Sequence, residues 1–135
     1  MNKEFIPAYQ ALELKFLGFN EDCFGYYHNV LGSDNINLFI EATSKELYTR
    51  ITIPEYENTL APLYQQAFRW FREKYNLDSY ILCTYIGVTS QKNNEYSFAI
   101  QHCDDYDYFV DADRYTYEEA ELACLKKLIE IVRNK

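Results

Sequence analysis

The sequence predicts an α+β fold in which antiparallel sheets carry packed helices, in the order α-βββ-α-βββ-α. Apolar residues alternate with polar ones over residues 35–42 and 46–53, which is typical of half-buried strands. They recur instead at helical spacing over residues 7–19, 60–77 and 117–133. Since 48% of the 135 residues are hydrophobic, the chain can bury the core of one ordinary domain.

The first half is predicted to contain one helix and three strands. Pro7 suits the first turn of a helix and Gly18 suits its C-cap, so the helix is predicted over residues 7–19. Its expected apolar face consists of Ala8, Leu12 and Phe16, with Tyr9 and Leu14 nearby. The strands are predicted over residues 23–30, 35–42 and 46–53.

A middle helix follows Pro54, with Asn58 or Thr59 as its N-cap. Its apolar side chains cover well over half of its circumference, whereas a surface helix needs a stripe of roughly 100°. These residues are Leu60, Leu63, Tyr64, Ala67, Phe68, Trp70, Phe71 and Tyr75. The breadth of this face indicates a helix that packs on two sides.

The second half is predicted to contain strands over residues 79–88, 95–102 and 106–110, followed by a helix. Thr116 and Glu119 form a T-x-x-E capping box at the start of that helix. Acidic residues cluster near its beginning and basic residues near its end, as the helix dipole favours. Its predicted buried face contains Ala120, Cys124, Leu125, Leu128, Ile131 and Val132.

The two halves are predicted to form a single compact domain over residues 1–135. Their patterns match at a shift of roughly 58 to 60 residues, which would be explained by a duplicated αβββα unit. The matched positions are Tyr27 with Tyr85 and Phe39 with Phe98. Such matches are few in a chain with 14 tyrosines and 9 phenylalanines. The half-units would span residues 7–58 and 79–135 around a shared helix over residues 59–77.

Charge and composition argue against several classes of function. The net charge of −8 repels phosphates, so binding to nucleic acid is not expected. The sequence has no apolar run of roughly 18 residues and begins with a charged stretch, so we expect neither membrane insertion nor secretion. The four cysteines form no C-x-x-C pair, which favours reduced thiols in a cytoplasm over a zinc site.

The α-βββ-α order of residues 60–133 resembles the topology of the double-stranded RNA-binding domain. In that family the last helix begins with a lysine cluster and spaced alanines, and Ala120 and Ala123 match the alanines. Acidic residues replace the lysines that would grip phosphates, namely Glu118, Glu119 and Glu121. The resemblance therefore implies a fold and counts against RNA binding.

The full chain is also similar to a family of uncharacterised small proteins of Bacteroidetes phages and prophages. The similarity is carried by "APLYQQAFRWFREKY" at residues 61–75 and "TYEEAELACLKKLIEIV" at residues 116–132. This resemblance implies a setting in a bacterial cytoplasm during infection or lysogeny. It implies no catalytic residues.

An acid-rich stretch, "HCDDYDYFVDADRYTYEEA" at residues 102–120, raises the question of a metal site. A calcium loop needs oxygen ligands at fixed positions and a glycine at the sixth, and registers that begin at Asp105 or Asp111 do not provide them. A turn, a strand and a helix start explain the acidic residues, so we predict no metal and no cofactor. A weak divalent-cation site and a recognition surface for a basic partner remain the alternatives. The residues of that surface are Asp104, Asp105, Tyr106, Asp107 and Tyr108.

Cysteine chemistry is the most specific enzymatic hypothesis, since Cys103 adjoins His102. Neighbouring residues on a strand point to opposite faces, so His102 is not expected to activate Cys103. His28 and His102 lack a third ligand at a fixed spacing and are interpreted as ordinary sheet residues. We therefore predict no catalytic residues and no enzyme.

A basic-aromatic cluster consists of Arg69, Arg72 and Lys74 near Trp70 and Tyr75. Arginine and aromatic side chains can stack on bases, so Arg69 and Arg72 are the candidate nucleic-acid contacts. A solvated strip on a helix also explains these residues.

Two non-enzymatic hypotheses of function follow. The first is a phage- or prophage-encoded module that binds an unknown host or phage protein through an acidic, tyrosine-rich surface in the bacterial cytoplasm. The alternative is a nucleic-acid-binding protein built on the half that resembles the RNA-binding domain. An exposed edge strand would also allow a homodimer.

Overall fold

The computed structural model describes residues 2–30, 36–40, 56–84, 95–104 and 108–135. Contacts divide the chain into two compact units, Met1–Gln66 and Ala67–Lys135. A short 3-10 helix at Asn2–Glu4 precedes elements in the order α-βββ-α-βββ-α, and the strands form two three-stranded antiparallel sheets. The predicted α+β class and the predicted order of elements are therefore confirmed.

The elements are bounded as follows. The helices are α1 (Ala8–Phe16), α2 (Tyr64–Tyr75) and α3 (Tyr117–Arg133). The strands are β1 (Tyr26–Val30), β2 (Ile36–Phe39), β3 (Tyr56–Leu60), β4 (Leu77–Thr84), β5 (Glu95–His102) and β6 (Tyr108–Tyr115). Within the residues that the structure describes, no helix is both long and apolar enough to cross a membrane.

Helix α1 ends in a Schellman motif at the predicted glycine. Gly18 has a φ of 95°, which glycine adopts without strain, and its N–H donates to the carbonyl of Lys15 at 3.0 Å. The N–H of Phe19 donates to the carbonyl of Leu14 at 2.9 Å, and both side chains are buried. These two bonds satisfy carbonyl groups that would otherwise lack intrahelical partners.

The buried face of α1 differs from the predicted one. Its buried residues are Gln10, Ala11 and Leu14. Phe16, expected in the core, is 79% exposed, and Tyr9 is 69% exposed. Positions two apart on a helix are separated by roughly 200°, so turning Leu14 inward against Phe19 places Phe16 on the opposite side.

The first sheet has the strand order β2-β1-β3, with β1 in the centre. Strand β3 was not predicted, and Asn58 and Thr59, expected to cap the middle helix, lie buried within it. The Oδ1 atom of Asn58 lies 2.6 Å from Nδ1 of His28, its cross-strand neighbour in β1. This contact pairs a buried polar side chain that a strand would otherwise leave unsatisfied. The strand predicted over residues 46–53 lies outside the described residues.

Helix α2 begins at Tyr64, later than predicted, because the preceding residues make sheet contacts. Leu60 ends β3, and Leu63 forms an isolated antiparallel bridge with Phe5. These two leucines therefore do not belong to the apolar face of the helix. Asn76, with a φ of 55°, follows the last helical residue.

In the second unit, β5 lies between β4 and β6, and α3 packs across all three strands. Helix α3 begins with the predicted capping box. The N–H of Glu119 donates to Oγ1 of Thr116 at 3.2 Å, and the N–H of Thr116 donates to Oε1 of Glu119 at 3.3 Å. The buried residues of α3 are Ala120, Glu121, Cys124, Leu125, Leu128 and Ile129. Four of these match the predicted face, while Ile131 and Val132 are half-buried.

The two sheets differ in strand order, β2-β1-β3 against β4-β5-β6. The first strand is central in one sheet and the second strand is central in the other. Phe39 lies on an edge strand at 43% exposure, whereas Phe98, its proposed match, lies on a central strand at 1%. Tyr85 lies outside the described residues. The described strands thus do not share the common order that a duplicated unit would have.

Candidate interaction surface

The second sheet has one face against α3 and an opposite face, which we call the outer face. The cross-strand register places Tyr80 beside Ala99 and Ala99 beside Val110. It places Leu82 beside Ser97. Since side chains alternate along a strand and cross-strand neighbours share a side, these five residues lie on the outer face.

Large apolar side chains on the outer face are exposed. Tyr80 is 43% exposed, Leu82 is 38% exposed and Val110 is 48% exposed. Ser97 and Ala99, on the central strand between them, are buried. The exposed apolar surface therefore follows the two flanking strands, β4 and β6. Clusters of exposed apolar residues mark interaction sites, whereas single scattered ones do not.

A carboxylate accompanies the tyrosine of the outer face. Asp78 lies two residues before Tyr80, and its Oδ2 accepts the hydroxyl hydrogen of Tyr80 at 2.9 Å. This hydrogen bond and the negative charge of Asp78 raise the pKa of Tyr80 above its ordinary value of 10.0. At neutral pH the outer face thus presents a protonated phenol beside an acidic group.

Of the five residues of the predicted recognition surface, the structure describes Asp104 and Tyr108. The other three, residues 105–107, lie outside the described ranges. Asp104 is exposed, and its Oδ2 accepts a hydrogen bond from Nδ2 of Asn76 at 2.6 Å. Tyr108 begins β6 and is 56% exposed. Its cross-strand neighbour is Gln101, so Tyr108 extends the outer face beyond Val110.

The acidic residues that follow in the chain have structural partners. Asp111 and Asp113 lie in β6, which continues to Tyr115 and does not end at Val110 as predicted. The hydroxyl of Tyr115 donates to Oδ2 of Asp111 at 3.0 Å and lies 3.3 Å from Oδ2 of Asp113. Burial and these two carboxylates raise the pKa of Tyr115 to about 12. Asp111 and Asp113 therefore serve as hydrogen-bond acceptors for a tyrosine of their own strand.

Metal-ligating side chains are not assembled in the described ranges. No group of three or more His, Cys, Asp or Glu residues there could hold a metal ion. The candidate cation site of the acid-rich stretch also includes residues 105–107, which are not described.

The cysteines fall into two classes. Cys23 and Cys124 are buried, and burial raises the pKa of each thiol to about 12. Both thiols therefore stay protonated at neutral pH, which opposes nucleophilic attack. Cys83 and Cys103 are exposed. The backbone N–H of Cys103 donates to the carbonyl of Asn76 at 2.8 Å.

The two histidines have different surroundings. In the first unit, His28 bonds to Asn58 and meets the ring of Phe39 edge-on at 5.9 Å. In the second unit, Nδ1 of His102 accepts the N–H of Asp104 at 3.3 Å, and its Nε2 lies 3.4 Å from Nζ of Lys135. None of these contacts involves a cysteine.

The basic-aromatic cluster of α2 is engaged within its own unit. Nη1 of Arg72 lies 3.8 Å from Oδ1 of Asp78. Nζ of Lys74 lies 4.8 Å from the ring centroid of Trp70, which is only 6% exposed. Arg69 is exposed. Because the Trp70 ring is buried, the cluster does not offer that ring to a stacking base.

A pocket that the sequence did not predict lies on the other side of the sheet, next to α3. It is open and has a volume of about 430 Å³. Its apolar wall includes Leu77, Ile100, Phe109 and Ile131. Its basic side chains are His102, Lys127 and Lys135. Lys127 and Ile131 lie four residues apart on α3 and therefore on one side of the helix, whereas Lys135 follows its end. This spacing is the part of the lining that the sequence shows.

No protein-family model matches the sequence, and no curated protein or solved structure matches it significantly.

Proposed function

We propose that the chain is a non-enzymatic protein-interaction module whose contact surface is the outer face of the second sheet. The observation that carries this proposal is the exposure of Tyr80, Leu82 and Val110 beside the carboxylate of Asp78. Tyrosine contributes a large contact area at low entropic cost, and interfaces are enriched in aromatic residues. Binding of a partner removes these apolar side chains from water, which lowers the free energy of the complex.

The proposed partner is a basic protein surface. The net charge of −8 and the isoelectric point near 4.7 favour attraction of a positively charged partner at long range. Asp78 supplies an acidic group beside Tyr80, and Asp104 adds an exposed carboxylate to the same unit. Charge complementarity of this kind speeds association and selects among partners more than it adds affinity.

The proposed setting rests on the resemblance of residues 61–75 and 116–132 to small proteins of Bacteroidetes phages and prophages. It supports a host or phage protein as the partner and the cytoplasm of the bacterial host as the location. Cysteines that are present as thiols fit a reducing compartment.

The nucleic-acid alternative draws less support from the geometry. Arg72 lies beside Asp78, and the ring of Trp70 is buried. In α3, Glu119 completes the capping box and Glu121 is buried, so neither position is a phosphate contact. Binding through this unit would depend on a small number of exposed cations in a chain of net negative charge.

Capture from host-cell lysate tests the two functions against each other. The tagged chain is recovered with and without nuclease, bound proteins are identified by mass spectrometry, and bound nucleic acid is measured by absorbance ratio. We expect a stoichiometric protein partner that survives nuclease and is lost progressively as salt rises. Nucleic acid without a protein partner would contradict the proposal and favour the alternative, and a second copy of the chain detected by light scattering would indicate a homodimer.

A further inference from the structure

The pocket beside α3 combines an apolar wall with two lysine ammonium groups and a histidine. In a chain with 21 acidic and 13 basic residues, a pocket whose ionisable lining includes His102, Lys127 and Lys135 reverses the local sign of charge. A volume of about 430 Å³ lies in the range of small-molecule sites, which are mostly apolar with a few convergent polar groups.

The contact between His102 and Lys135 indicates an anion. Nδ1 of His102 lies 3.3 Å from the N–H of Asp104, and Nε2 lies 3.4 Å from the Nζ ammonium of Lys135. Both neighbours are donors, and a neutral imidazole has one accepting nitrogen. Either tautomer therefore leaves one donor facing another donor. An anionic oxygen that bridges Nε2–H and the Lys135 ammonium from one side would accept from both.

Lys127 supplies the second cationic group of the pocket. Its Nζ lies 4.6 Å from the ring centroid of Phe109 and 3.0 Å from Oε1 of Glu130, a side chain that is 56% exposed. An exposed ion pair on a helix contributes little free energy, so the ammonium can exchange Glu130 for a ligand oxygen at small cost. This cation–π contact holds the ammonium at the edge of the apolar wall.

We propose that this pocket binds a small organic acid, with its anionic group held by His102, Lys135 and Lys127 and its apolar body held against the wall. The wall formed by Ile100, Phe109 and Ile131 suits a flat aromatic or branched apolar body. This inference does not depend on a protein partner, although Tyr108 of the outer face also lines the pocket.

Calorimetric titration of the purified chain tests the proposal with 2-naphthoate as the probe. Its matched control is 2-naphthamide, which has the same apolar body and no charge, and inorganic phosphate serves as an anion without an apolar body. We expect saturable binding of one 2-naphthoate per chain, at least about tenfold tighter than either control.

Variants locate the site. Lys127→Gln and Lys135→Gln are each expected to weaken 2-naphthoate binding by about tenfold, since each removes a hydrogen bond to a charged group. Lys126→Gln changes an exposed lysine at the position of α3 just before Lys127, so it is the matched control and should leave binding unchanged. Far-ultraviolet circular dichroism establishes that each variant remains folded.

Several results would overturn the proposal. Equal binding of 2-naphthoate and 2-naphthamide would show that the cationic groups do not act on the ligand. Phosphate binding as tightly as 2-naphthoate would remove the role of the apolar wall. An equal loss in Lys126→Gln would indicate diffuse charge attraction, and no saturation up to about 10 mM would show that there is no site for this class.

Discussion

Which face of helix α1 packs against the core can be tested directly, because the structure buries Leu14 and exposes Phe16 two positions later. Leu14 is 0% exposed, so Leu14→Ala removes a fully buried side chain and leaves a cavity, at a cost of about 2–5 kcal/mol in unfolding free energy. Phe16 is 79% exposed, so roughly a fifth of a side chain of about 200 Å² is removed from water. At about 25 cal/mol/Å² this burial contributes about 1 kcal/mol, and the higher helix propensity of alanine offsets about half of it.

Urea unfolding followed by far-ultraviolet circular dichroism measures both variants against the wild type. We expect Leu14→Ala to lower the free energy of unfolding by at least about 2 kcal/mol and Phe16→Ala to change it by less than about 1 kcal/mol. If Phe16→Ala lowered the free energy of unfolding as much as Leu14→Ala or more, the buried face described for α1 would be refuted. The helix would then bury the face of Ala8, Leu12 and Phe16 that the sequence pattern alone favours.

Three further predictions concern the second unit. Thr116→Ala should lower the free energy of unfolding by about 1 kcal/mol while Thr116→Ser keeps it, and equal urea midpoints for the two variants would argue against the capping box. Asn76→Ala should cost about 1 kcal/mol through strain at a φ of 55°, and Asn76→Gly should recover part of this loss in the same urea assay. Because burial raises the pKa of Cys124 from 9.0 to about 12, its contribution to stability is complete below pH 9 and is lost as the pH rises through 12. Cys124→Ala should therefore lose stability less steeply than the wild type in urea titrations above about pH 9, and parallel curves would contradict the assignment.

Local patterns in the sequence were sufficient for most of the fold. The strand predicted over residues 95–102 coincides with β5, and the capping box of Thr116 and Glu119 fixes the start of α3. Both signals depend on interactions between residues that are close in the chain. Such signals locate the helices and most of the strands, whereas the position of β3 does not follow from them.

Tertiary contacts decide the features that the sequence did not reveal. Residues 56–60, Tyr-Glu-Asn-Thr-Leu, show no clear alternation and form β3 because they pair with β1, where Asn58 meets His28. In α1 both Leu14 and Phe16 are apolar, and the choice between them depends on the packing of Phe19 after the helix ends. Strand order within each sheet depends on long-range pairing that local periodicity does not encode.

The sequence predicted an acidic, tyrosine-rich surface and named some of the residues in the candidate surface. Tyr108 and Asp104 were named from the acid-rich stretch, whereas Tyr80 and Leu82 join them only through the pairing of β4 with β5 and β6. The spacing of Lys127 and Ile131 places two lining residues on one side of α3, but the pocket as a whole could not be predicted. The rest of its lining comes from the start of β4, the end of β5, the start of β6 and Lys135 after the helix. Only the folded unit brings these segments together.

The central claim is that the outer face of the second sheet binds a protein, and a matched pair of variants tests it most directly. Recovery of the captured partner is compared between the wild type, the double variant Tyr80→Ser with Val110→Ser, and the control Tyr9→Ser, whose side chain is 69% exposed on α1. Fluorescence of the single tryptophan, Trp70, reports whether the second unit stays folded. We expect the double variant to reduce recovery by about tenfold or more and the control to match the wild type. Undiminished recovery by a folded double variant, or an equal loss in Tyr9→Ser, would contradict the claim.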